Sequence, residues 1–257
     1  MKLSEQQRQQ IDDTIKECIR KKLRTYNPET KQMPFHYRLL GKDRMALFSF
    51  IHSLNTTIGT SIFEPIAAII AQTSFPVVKR QYAIGNQVSE GSQIEIQHLM
   101  NELSLHGNPD KESELSRIRR VCQLGAMNKI KTVKADLLLE SQEGVVFLVD
   151  IKTAKPNIGD FKGFKRNLLE WAAIYLASFP EAVVQTFLAM PYNPYEPKPY
   201  ERWTLRGMLD LNKELMIGEE FWEFLGGQGA YSEVLACFEK AGIELRPELD
   251  AYFSKYS

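Results

Sequence analysis

The sequence predicts an α/β fold: a small mixed β-sheet flanked by helices, with helical N- and C-terminal parts. Three observations carry this. Ile11, Ile15, Ile19 and Leu23 fall four apart on one helical stripe. KTVKADLLLE and VVFLVDIK are β-prone runs separated by Ser141-Gln142-Glu143-Gly144, a hairpin signal. A third apolar run, VVQTFLAM, follows a helical stretch rather than a tight turn.

The elements follow in order. Residues 1–25 read as a helix, and Asn27-Pro28 and Met33-Pro34 mark a loop after it. A second helix is predicted over 43–55, apolar at Leu47, Phe50, Ile51 and Leu54. After Gly59, SIFEPIAAIIAQT reads as a third, buried helix, with Ser61-x-x-Glu64 at capping-box spacing and Pro65 in its first turn. Residues 77–84 form a candidate strand ended by Gly85-Asn86, and Ser92 opens another helical stretch. Gly107-Asn108-Pro109-Asp110 is a loop, followed by a basic helix around Arg117, Arg119 and Arg120. Beyond the hairpin, 161–179 is helical, with Phe164, Leu168, Leu169 and Trp171 as core positions. PYNPYEPKPYERW packs four prolines and three tyrosines into an irregular loop, and the remainder is helical, interrupted at Gly226-Gly227-Gln228-Gly229. The whole is expected to be one domain over 1–257: a helical part (1–75), a core (76–190) and a helical C-terminal part (191–257).

Composition narrows the function classes. With 44% hydrophobic residues over 257 positions the chain has enough apolar surface for a packed core. No continuous apolar run approaches the ~18 residues of a membrane span, and the N-terminus lacks a signal peptide's apolar region. Three scattered cysteines without a CxxC exclude a disulfide framework and a zinc knuckle. A cytoplasmic, membrane-free protein is expected. Net charge is zero but uneven: +5 over residues 1–45, six basic residues and no acid over 115–135, +4 over 152–166, and −7 over 207–250. Such a chain can still present a positive face to a polyanion.

The residues singled out for chemistry are Asp136, Asp150 and Lys152, with Glu64 beside them. The string (D/E)xK occurs four times, against about two or three expected by random placement of 32 acids and 19 lysines. Glu29/Lys31 and Glu196/Lys198 lie in proline-flanked loops, and Asp160/Lys162 has no preceding strand. Only Asp150-Ile151-Lys152 ends a buried strand whose hairpin partner carries its own acid. The pleat puts Asp150 and Lys152 on one face and Ile151 on the other. A plain four-residue loop would pair Glu140 with Val145 and leave Asp136 one step from Asp150, whereas a glycine bulge at Gly144 would bring the two acids opposite each other. Two carboxylates and the Ile151 carbonyl would suit Mg²⁺, with Lys152 beside it to position a water or neutralise charge on a phosphate. The competing reading makes both acids solvent-facing strand ends, although an acid within VVFLVDI is costly unless paired or metal-bound. Glu64 reads equally as a helix cap or a catalytic acid.

AD(LLL)…VVFLVDIK resembles the PD-(D/E)xK nuclease signature, with Ala135 in place of the usual proline. More narrowly, HYRLLGKDRMALFSFIHSLNTTIGTSIFE and DIKTAKPNIGDFKGFKRNLLEWAA are similar to the TdeIII-type family of type II restriction endonucleases, over about half the chain, roughly residues 36 to 173. The resemblance implies a restriction-endonuclease-like core and Mg²⁺-dependent, palindrome-specific double-strand cleavage, with GGNCC as the target. It also implies double-stranded DNA as partner, a homodimer and a cognate DNA methyltransferase. Asp136, Asp150 and Lys152 match its core motif position by position. Lys155, Asn157, Lys162, Lys165 and Arg166 are expected to line the phosphate track from one side, and Lys129, Lys131 and Lys134 from the other. Lys198, Arg202 and Arg206 are candidates for reading guanine. A repair or structure-specific nuclease of the same superfamily and a catalytically silent DNA-binding module remain as alternatives. Other chemistries lack their motifs: there is no GxSxG and no GxxxxGK, and the four histidines lack metal-ligand spacing.

Overall fold

The computed structural model describes residues 3–28, 33–152, 160–200 and 207–256. Its described strands form one five-stranded sheet in sequence order: β1 (Val77–Ser89), β2 (Met127–Glu140), β3 (Val145–Ile151), β4 (Val183–Met190) and β5 (Leu215–Ile217). β1, β2 and β3 are antiparallel neighbours, while β3, β4 and β5 run parallel. The mixture follows from the connections. A hairpin joins β2 to β3, whereas the 19-residue helix α7 (Asp160–Ser178) returns the chain to start β4 in the same direction as β3.

Each face of the sheet buries a core. On one face α5 (Glu90–His106), α6 (Lys111–Val121) and α7 cover Leu138, Leu148, Val184 and Leu188. On the other, α1 (Glu5–Thr25), α4 (Glu64–Ala71), α8 (Glu219–Gly226) and α9 (Ala230–Phe253) cover Leu137, Leu139, Val149 and Phe187. Alternate residues of β2 and β3 therefore enter opposite cores, which is why both strands read as nearly continuous apolar runs. The stripe predicted for α1 is present: Ile11 and Ile15 are buried, and Ile19 packs at the edge of the second core.

The structure departs from expectation in four places. β1 runs on through Gly85 to Ser89, its register shifting between Ala83 and Gln87 where a strand end was expected. The C-terminal part is not purely helical, since Leu215–Ile217 pairs with β4 and completes the sheet. A three-residue strand is too short to show a period. Third, α2 (Pro34–Leu40) precedes α3 (Lys42–Ile58), and α3 does not stop before Glu64. It passes through a π-helical turn, Gly59–Phe63, into α4 (Glu64–Ala71) as one helix from Lys42 to Ala71. Pro65 has no N–H for the α-helical ladder, and the adjacent wide turn carries the Glu64 N–H to Gly59 O instead. Fourth, by length and composition this helix is apolar enough to cross a membrane, which a run-length reading overlooks because Ser, Asn and Thr interrupt every apolar stretch. Here 44% of its apolar window is buried within the fold.

Candidate active site

Hairpin geometry decides where the acids sit. Gly144 adopts φ 77°, and the Ser141 N–H donates to Val145 O at 2.9 Å. Glu140 consequently pairs with Val146, and the ladder continues to Leu137 opposite Val149. Of the two registers open to the sequence, this is the bulged one. One further step sets Asp136 level with Asp150. There the Ile151 N–H donates to Asp136 Oδ2 at 2.8 Å, fastening the first acid to the strand that carries the second.

Asp150 is 2% exposed, at the inner end of a strand paired on both sides. Burial pushes its carboxyl up to about 6; the adjacent Lys152 ammonium opposes that shift and the Asp136 carboxylate adds to it. Lys152 Nζ lies 2.5 Å from Asp150 Oδ1 and 5.5 Å from the centre of the Phe164 ring. Asp150 Oδ2 is buried and has no hydrogen-bond partner among the described residues. A buried polar atom left so costs ~1–3 kcal/mol.

Glu64 reaches the same place from the other side. It is 2% exposed, inside the continuous helix, with no side-chain cap present at Phe63. The capping-box reading is therefore corrected: Ser61 lies within the π turn, and no helix begins after it. Glu64 Oε2 instead accepts from Gln81 Nε2 at 2.8 Å, and the same nitrogen lies 3.3 Å from Asp136 Oδ1. Burial raises the Glu64 carboxyl above its ordinary range, Gln81 opposes the shift, and the Asp136 charge adds to it. Gln81 belongs to β1, level with Asp136 because Arg80 pairs with Leu137 and Tyr82 with Ala135. It has φ 47°, the one positive value among described non-glycine residues. Sequence reasoning missed Gln81 altogether, and it read Phe164 only as core.

The expected DNA-facing residues divide. Lys129, Lys131, Lys134 and Lys162 are exposed, as is Lys198 in the proline-rich loop. Arg166 is half-buried, donating to Gln97 Oε1 at 2.8 Å. Lys165 is not on that surface. It is 0% exposed, with Nζ 2.5 Å from both Glu114 Oε2 and Glu214 Oε2. Lys111, also fully buried, holds Glu214 Oε1 at 2.8 Å and Thr186 Oγ1 at 2.6 Å. These buried charges join α6, α7, β4 and the start of β5, and α7 turns Lys165 toward them rather than toward solvent. Lys155, Asn157, Arg202 and Arg206 lie outside the described residues.

Among the described residues no three His, Cys, Asp or Glu side chains gather at metal-ligating range. The donors among the described residues are thus two carboxylates, one with a buried oxygen that has no hydrogen-bond partner there. This sparse all-oxygen set fits Mg²⁺, which binds through one or two carboxylates and keeps several waters. It does not fit a closed structural centre, which needs four protein ligands.

Comparison with known proteins adds the family. Residues 3–242 match the HinfI family of type II restriction endonucleases. The chain is 29% identical to the type II restriction enzyme HgiEI of Herpetosiphon aurantiacus, over 84% of this chain and 79% of that protein. HgiBI of the same organism is 28% identical over the same shares. This chain is also 28% identical to the type II restriction enzyme MjaII of Methanocaldococcus jannaschii, over 77% of this chain and 59% of that protein. The family that matches is HinfI's, so the resemblance holds at the level of type II restriction endonucleases rather than the TdeIII-type subfamily.

Proposed function

The chain belongs to the HinfI family of type II restriction endonucleases, enzymes that act on DNA, and on that premise we propose that it hydrolyses both strands of a short palindromic duplex site in a Mg²⁺-dependent reaction. The observation that carries this reading is the buried Oδ2 of Asp150, which has no hydrogen-bond partner among the described residues, with Lys152 Nζ 2.5 Å from the other oxygen of the same carboxylate. Neighbouring acids repel a phosphate unless a cation lies between them, while the lysine attracts it.

Asp136, Asp150 and the Ile151 carbonyl would hold Mg²⁺, which when bound lowers the pKa of a water and stabilises charge on the phosphoryl oxygens. The protein's part is orientation. Asp136 is fixed at Oδ2 by the Ile151 N–H, and Lys152 is steered by Asp150 on one side and the Phe164 ring on the other. Held there, the Lys152 ammonium orients the attacking water and offsets charge building on the phosphate. The water oxygen bonds to phosphorus in line with the 3′ oxygen. The P–O3′ bond breaks, the attacking water gives up a proton to solvent, the 3′ oxygen takes one up from solvent, and a 3′-hydroxyl and 5′-phosphate result.

The first target to test is GGNCC, the site implied by the TdeIII-type resemblance. A palindrome is read most economically by a two-fold dimer with one site per strand, so the functional species is a homodimer. Lys129, Lys131 and Lys162 supply phosphate contacts. We place the enzyme in the cytoplasm beside its DNA, with a cognate methyltransferase protecting the host's own sites. Digestion of a plasmid of known sequence with Mg²⁺ tests the reading. Discrete fragments ending at one short sequence are expected; a smear would mean a non-specific nuclease, and intact plasmid a binding module.

A further inference from the structure

Gln81 combines two features that rarely coincide without cause. Its backbone sits at φ 47° inside a strand, where a residue with a Cβ is strained. Its side-chain nitrogen lies 2.8 Å from Glu64 Oε2 and 3.3 Å from Asp136 Oδ1, joining an acid on a helix to an acid on a strand. Strain of this kind persists only where surrounding structure holds it, and an ordinary strand conformation at residue 81 would alternate the side chain with Arg80 and Tyr82. The register of β1 against β2 is kept on both sides of the residue, while the pleat changes phase there on both strands: Val77 and Tyr82, and Leu138 and Ala135, face the same core at odd spacings.

We infer that Gln81 is a positioning residue of the cleavage site: its amide aligns the Glu64 and Asp136 carboxylates, and the left-handed backbone is what aims it there. The chemistry suits the task. An amide NH₂ has two donors and no charge, so it offsets the mutual repulsion of two close carboxylates without occupying the place of a cation. With the Ile151 N–H on Oδ2 and Gln81 on Oδ1, both Asp136 oxygens are held, so its plane is set before DNA arrives. Glu64, buried and raised in pKa by that burial, gains a donor that favours its ionised form. Nothing else described donates to Glu64 in this structure.

The proposal rests on the nuclease reading of the site, so its test includes measurements made without metal or DNA. Gln81→Gly removes the amide and relieves the backbone. The metal-free Tm should stay within about 2–4 °C of wild type, because relief of the backbone offsets loss of the two donors, while kcat falls about tenfold with KM little changed. Gln81→Glu keeps the length but places a third carboxylate between two others. Its metal-free Tm should drop by about 2–4 °C, and Mn²⁺ titrated alone should raise it by more than it raises wild type. Wild-type cleavage by Gln81→Gly or an unchanged metal-free Tm for Gln81→Glu would each overturn the assignment. If the wild-type protein itself failed to cleave, the nuclease reading would fall, while the metal-free melting shift of Gln81→Glu would still decide whether the amide bridge exists.

Discussion

Asp136 accepts the backbone N–H of Ile151 at 2.8 Å, so the first acid of the site is bonded to the residue between the second acid and the lysine. Side-chain order at the site is thereby written into the main chain of β3. Substitutions of these groups should separate binding from chemistry with little change in fold.

Replacing Asp150 by Asn keeps the shape but removes a negative charge and, on the proposed mechanism, a metal ligand. Cleavage should slow at least ~100-fold, while metal-free affinity for target DNA stays equal or rises. Lys152→Ala should lose cleavage similarly, with equal or weaker binding because a favourable charge is gone. Single-turnover cleavage beside metal-free gel shifts measures both, and normal cleavage by both variants would end the nuclease reading.

Cleavage should require Mg²⁺, accept Mn²⁺ and proceed poorly with Ca²⁺, whose looser coordination and weaker Lewis acidity favour binding over hydrolysis. The check is a digest in each ion after exhaustive chelation. Undiminished activity in excess EDTA would refute the assignment of Asp136 and Asp150.

Exposed lysines should reveal themselves through salt. Each phosphate contact contributes a slope of about −0.9 to log K against log[salt]. Changing Lys129, Lys131 and Lys162 to Gln should flatten the slope without altering stability, since all three are exposed. An unchanged slope would place the phosphate track elsewhere on the molecule.

Lys165, three residues beyond Lys162, should behave in the opposite way. Lys165→Met leaves Glu114 and Glu214 with less compensation at the centre of the fold. Loss of one partner of a buried pair costs ~3–5 kcal/mol, measurable by urea denaturation. Lys162→Met should stay within ~0.5 kcal/mol of wild type. Equal stability of the two variants would contradict the buried network.

A two-fold complex makes a hydrodynamic prediction. Sedimentation of the protein with a single-site duplex and Ca²⁺ should show two protomers per DNA. One protomer in a complex that then cleaves both strands on Mg²⁺ addition would exclude the homodimer.

These contrasts show which parts of the molecule were legible in its sequence. The hairpin was, because a glycine after a three-residue turn leaves only two registers and the strands themselves are unmistakable. Lys165 was not, because a count of charge along 152–166 records sign but not direction. The partners that bury it stand 51 and 49 residues away in sequence. Of the two readings of Glu64 the capping one fails: Ser61-x-x-Glu64 has the spacing of a cap, yet a cap requires a helix to begin there, and Gly59 and Pro65 widen this helix rather than end it. Gln81 left no trace. Its part depends on a dihedral angle and on two acids brought together only by the folded sheet.

The central strand has one more consequence, for how the enzyme breathes. β3 is bonded along its length to β4 and from Val146 to Val149 to β2, and its residues enter both cores. Amides so placed exchange with solvent only when the whole domain opens, because no smaller fluctuation frees them. In hydrogen-exchange experiments the amides of Leu148, Val149 and Asp150 should therefore lie at the slow limit, set by global stability. Chemistry mounted on such a strand cannot adapt to a distorted duplex by local melting. Whatever fitting accompanies site recognition must fall to the DNA and to peripheral elements, with the cleavage centre acting as the fixed anvil.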